Sequence, residues 1–73
     1  MDFEERAYLA YRLHSYIEEI RKIRNTLSTL LSELMHNNTS NATKVVANAI
    51  YDLSKTADGL EKLTQELTEE TEP

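Results

Sequence analysis

Leu9, Leu13, Tyr16, Ile20, Ile23, Leu27, Leu30 and Leu34 follow one another at alternating spacings of four and three residues, without a slip. That alternation puts all eight on one face of an α-helix and is the pattern of helices packed lengthwise. A strand would need alternate residues instead, so the stripe commits the chain to an all-α architecture. Asp2 is positioned as an N-cap, with Glu5 three residues on as in a capping box. Glu4 and Glu5 suit the positive end of the helix dipole. Neither Pro nor Gly interrupts the chain up to Met35. The spacing therefore predicts one helix over 2–35, about 50 Å long.

His36-Asn37-Asn38-Thr39-Ser40-Asn41 ends the pattern. Asn tolerates the left-handed backbone that closes helices, and Thr, Ser and Asn open them, so 36–41 reads as a helix-to-helix turn. A second helix is expected over 42–67, its seam running Ala42, Val46, Ala49, Leu53, Thr56, Leu60, Leu63 and Leu67. Ala42, Ala49 and Thr56 are small and allow a neighbouring helix to approach closely. Gly59 lies inside this helix at a cost of about 1 kcal/mol relative to Ala. It marks either a tight contact or bend, or a tolerated substitution. Residues 68–73 are rich in acids, which oppose the negative end of a helix, and read as a frayed tail.

Two helices joined by a short turn lie antiparallel. The expected unit is a hairpin over 1–67, with Leu34 near Val46, Leu27 near Leu53, Ile20 near Leu60 and Leu13 near Leu67. Both stripes are wider than that one contact needs. Ile17 and Leu31 flank the first seam; Ile50 and Ala57 flank the second. Three apolar positions per heptad suit the core of a bundle. A chain of 73 residues without cysteine has no disulfide or thiolate-metal staple, and small chains lacking these commonly self-associate. The expectation is a homodimeric four-helix bundle, with a different protein supplying the missing helices as the alternative. Arg24 stands at the position equivalent to Ile17 and Leu31. It either lays its stem on apolar surface with its head in water or pairs with Asp52 or Asp58.

The charge of −5 disfavours attraction to nucleic acid or anionic membrane. No apolar run approaches the ~20 residues that span a bilayer. Residues 1–15 lack the basic start and apolar core of a signal peptide, so a cytoplasmic location is expected. His14 and His36 lie 22 residues apart, outside any ligand cluster, and no metal or cofactor is expected. The carboxylate pairs Glu4/Glu5, Glu18/Glu19 and Glu69/Glu70 fall on water-facing positions, and no phosphate loop or nucleophile motif is present. Phe3, Tyr8, Tyr11 and Tyr51 fall off the seam and are candidate anchors for a protein partner. The residues thus point to a non-enzymatic homodimeric interaction protein: a regulator, inhibitor or adaptor. A further class, a nucleic-acid-binding bundle, would use the basic cluster Arg21, Lys22 and Arg24.

The run Glu5-Arg6-Ala7-Tyr8-Leu9-Ala10-Tyr11-Arg12-Leu13-His14 resembles the phosphoacceptor box of sensor histidine kinases. Glu5, Arg6, Ala10, Leu13 and His14 match the family's pattern, and Leu9 replaces Ile. The family's dimerisation domain is a helical hairpin that pairs into a four-helix bundle. The resemblance implies His14 as phosphoacceptor. Ser15 stands where the family has an acid, Glu19 where it has Gln and Tyr8 where a second Arg is usual. Those departures imply a decoy module rather than a working kinase.

Overall fold

The computed structural model describes residues 2–37 and 39–69. Two helices, α1 (Phe3–His36) and α2 (Ser40–Glu69), pack against each other as a rod of 55 × 14 × 13 Å. Asp2 caps α1: the Glu5 amide donates to Asp2 Oδ1 at 2.8 Å. At the other end Asn37 closes the helix with helical-side backbone, at φ −97°, rather than the left-handed conformation expected of Asn. Its amide N–H donates to the carbonyls of Glu33 and Leu34, and its Nδ2 donates to Glu33 O at 3.0 Å. These bonds satisfy the terminal carbonyls that a left-handed residue would otherwise serve.

The turn is shorter than expected. Thr39 donates both its amide, at 3.3 Å, and its hydroxyl, at 3.1 Å, to Leu34 O. The Thr43 amide and hydroxyl in turn donate to Thr39 O. Thr39 thereby ends one helix and begins the next, and α2 starts at Ser40 rather than at residue 42. It continues to Glu69, so the expected tail is helical at 68 and 69, and residues 70–73 lie outside the described residues.

The two helices meet on a face rotated from the expected seam. The inward row of α1 is Ala10, Leu13, Ile17, Ile20, Arg24, Leu27, Leu31 and Leu34, again at alternating fours and threes. Ile17, expected as a flank, is 2% exposed, whereas Ile23, expected in the seam, is 53% exposed. In α2 the inward row is Val46, Ile50, Leu53, Ala57, Leu60, Thr64 and Leu67, with Ala57 1% exposed. Flank and seam have exchanged roles around a shared set: Leu13, Ile20, Leu27 and Leu34 in α1, and Val46, Leu53, Leu60 and Leu67 in α2. The physical reason is steric. In the α1 row that turned outward, Leu9, Tyr16, Ile23 and Leu30 are all bulky, whereas the inward row includes Ala10, and Ala57 is the most buried residue of α2.

Written as heptads with Ile17 at a, the shared set occupies d. The inward a positions are Ala10, Ile17, Arg24 and Leu31 in α1 and Thr43, Ile50, Ala57 and Thr64 in α2. Gly59 falls at c on the back of α2, and a Cβ built there would meet nothing within 4 Å. Within the hairpin it serves neither a tight contact nor a close helix approach. Two outcomes follow for equilibrium denaturation at fixed protein concentration. Ile17→Ala should lower stability by about 2–4 kcal/mol, through lost burial and the cavity left behind. Gly59→Ala should raise it by about 0.5–1 kcal/mol, through helix propensity in open space.

Candidate protein-interaction surface

An antiparallel pair has two different flanks: e positions face e, and g positions face g. The observed ion pairs show which flank is which. Arg21, at e of α1, donates to Glu61 Oε2 at 2.6 Å, and Glu61 is at e of α2. Asp58, at the neighbouring b position, lies 3.7 Å from the same guanidinium. Arg21 is held above its ordinary pKa chiefly by the hydrogen bond to Glu61; desolvation opposes it as the next largest effect, and the charges of Glu61 and Asp58 add smaller upward contributions. It therefore stays charged at any ordinary pH. This flank carries a polar clasp and is otherwise lined by His14, Ser28 and Ser54, with the apolar Met35 and Ala47 toward the turn.

Among the described residues no ion pair across the hairpin joins the g rows of the opposite flank. Its α1 row is Leu9, Tyr16, Ile23 and Leu30, every one exposed. Its α2 row is Ala42, Ala49, Thr56 and Leu63, of which the two alanines are half-buried and the other two exposed. The rod thus has one salt-bridged edge and one apolar edge.

A third feature is an aromatic group at the start of α1. Phe3, Tyr8 and Tyr11 are exposed within its first turns. Arg12 lies over the Tyr8 ring at 5.7 Å and the Tyr16 ring at 5.6 Å, and it also donates to the Tyr16 hydroxyl. Its pKa is raised, chiefly by that hydrogen bond. The spacing of four residues on either side makes this ladder possible on one helix, and the same spacing in the sequence was the signal that could have identified Arg12. Tyr51 is also exposed but sits on α2, with Lys55 over its ring at 5.2 Å. It lies well along the rod toward the turn, whereas Phe3, Tyr8 and Tyr11 share the first turns of α1, at positions a, f and b around it. Met35 and Val45, not singled out from the sequence, are exposed near the turn.

The remaining candidates fall apart spatially. His14 is exposed on the clasped edge, 3.2 Å from Glu18 one turn on. Arg21, Lys22 and Arg24 occupy e, f and a, three different directions around α1. Arg21 is engaged across the hairpin, and Arg24 is half-buried and donates to Asn25 Oδ1 at 3.1 Å. Asp58 has gone to Arg21 rather than to Arg24. Among the described residues Arg24 pairs with neither expected aspartate.

Among the described residues the surface has shallow depressions that are open to solvent. One of about 420 Å³ is lined by Asp58, Gly59, Glu61, Lys62 and Gln65, and one of about 360 Å³ by Met35, Thr39, Ser40, Thr43 and Lys44. Neither encloses a ligand on several sides as a small-molecule site does. Among the described residues no group of three or more His, Asp or Glu side chains is placed to hold a metal. No helix there is long and apolar enough to cross a membrane. In comparisons with known proteins, the chain matches no family model, no curated protein and no solved structure.

The clasp is exposed to solvent, with Arg21 and Glu61 side chains 36% and 49% accessible, and such pairs are weakened by salt. Glu61→Gln should lower the melting temperature in about 10 mM salt, and the difference from the parent chain should vanish near 1 M. Thermal melts followed by circular dichroism at both ionic strengths check this.

Proposed function

We propose that this chain is a non-enzymatic helical interaction protein that forms a homodimeric four-helix bundle and binds another protein through its outer surface. A regulator, inhibitor or adaptor role, in the cytoplasm, fits this reading. The observation that carries it is the inverted balance of burial. Among the described residues eleven large apolar or aromatic side chains are exposed, while only Ala10, Ile17 and Ala57 are buried.

Area gives the same argument a scale. A compact monomer of 8.4 kDa should expose about 4,600 Å². The hairpin exposes 5690 Å², roughly 1,100 Å² more. A standard protein interface removes about 800 Å² from each partner. The excess is of the size that one such interface would cover.

Phe3, Tyr8 and Tyr11 support the second half of the reading. Aromatic side chains are preferred anchors at protein interfaces, and these three share one end of the rod. Tyr8 is further held in place by Arg12, which lowers the ordering cost of binding. The end of the bundle, rather than its length, is therefore the surface offered to a different protein.

Sedimentation equilibrium should give a dimer of folded chains at micromolar concentration, and a stably folded monomer would sink the first half of the proposal. For the second half, proteins cross-linked to the chain in its host should be lost when Phe3, Tyr8 and Tyr11 are all changed to Ser. Tyr51→Ser should leave the same set in place. Equal loss from both variants, or from neither, removes the assignment to the α1 end.

A further inference from the structure

The most strictly apolar row of the chain is not its most buried one. From Leu13 to Leu67 the eight d positions are all Leu, Ile or Val, Arg6 holding the ninth near the start of α1, yet none is buried in the hairpin; each is half-buried. The three buried residues, Ala10, Ile17 and Ala57, are all at a, while Arg24, Leu31, Thr43, Ile50 and Thr64, also at a, are half-buried like the d row. On a helical wheel d lies between a and g. A core centred on d must therefore be closed from the g side, the edge without the ion-pair clasp.

Resting on the dimer reading above, we infer that a second copy of this chain covers the g edge, with the two turns at the same end of the bundle. In that arrangement α1 of one copy lies antiparallel against α2 of the other. Two of the three g pairs are complementary in size, and the third, Tyr16 against Leu63, sets two large apolar side chains together. Residues 16, 23 and 30 of α1 run level with residues 63, 56 and 49 of α2. Ile23 then faces Thr56 of the second copy, and Leu30 faces its Ala49. Large against small is how facing rows interdigitate without voids.

Charge at the rim fits the same arrangement. Beyond g lies c. Arg12 is at c in α1, and Glu66, at c in α2, stands at nearly the same level along the rod. The two meet across the interface with opposite charge. Gly59, also at c, stands near the level of Glu19 and leaves its backbone bare there. The reverse arrangement, α1 against α1 with turns at opposite ends, stacks bulky rows on bulky rows. It also sets Glu19 near Glu19 of the second copy, and like charges at such close range repel. A heterologous partner has no reason to match both the size order and the charge order of this chain's own helices.

Three measurements test this together. Ile23→Glu should weaken dimerisation on the order of 100-fold, while Ser28→Glu, on the clasped edge, should leave the dissociation constant within about 3-fold. Because Ile23→Glu could also unfold the chain, the rim provides a second reading. Arg12→Glu and Glu66→Arg should each weaken the dimer about 10-fold, and the double variant should recover most of the loss. The chain has no cysteine, so Asn41→Cys carries a single spin label beside the turn. Two labels should lie roughly 15–25 Å apart, as helix spacings of 8–10 Å require. A separation close to the 55 Å length of the rod overturns the arrangement. A dimer that tolerates Ile23→Glu but not Ser28→Glu, or a double variant no better than the singles, overturns the choice of face and leaves the dimer itself standing. A parent chain that sediments as a monomer overturns both.

Discussion

Everything in this molecule depends on the width of its apolar stripe. A helix packed against one neighbour can bury about two residues per heptad, and these helices carry three. The hairpin takes a and d, and it takes d only halfway. The leftover row, g, is consistently bulky on α1 and mostly small on α2. That one mismatch between stripe width and partner number explains why so little is buried and why the exposed surface is so apolar.

The polar residues then divide the remaining surface. Arg21 reaches across to Glu61 and Asp58 and seals one edge with charge. Such a clasp adds little stability of its own, but it makes that edge a poor place for an apolar partner. Arg24 breaks the a row without making a buried ion pair; its half-buried stem covers apolar surface while its head stays at the edge. The two arginines therefore act differently although they are three residues apart. Lys22, between them, points away from both, and the apparent basic cluster dissolves once wound into a helix.

Much of the fold was legible in the sequence. The alternation of fours and threes gave two helices, and the Asn- and Thr-rich break gave the turn between them. The phase was not legible. Two rows one residue apart, Leu9-Tyr16-Ile23-Leu30 and Ala10-Ile17-Arg24-Leu31, flank the same d row, and hydrophobicity alone favours the first. Packing favoured the second, which holds the buried Ala10 and Ile17 and packs against α2, where Ala57 is the most buried residue. The Arg12 ladder was readable from the Tyr-Arg-Tyr spacing of four, whereas the Arg21 clasp depended on which residues of α2 came level with it.

The sequence by itself determined that the chain is helical, that it turns once and that its apolar surface exceeds what one hairpin can hide. Those are local properties: periodicity, capping and the count of apolar residues per heptad. The tertiary structure decided which side of that surface is used inside the hairpin and which is left outside. That choice is made by side-chain volume and by charge across the helix pair. Neither can be evaluated until residues far apart in the chain stand opposite one another.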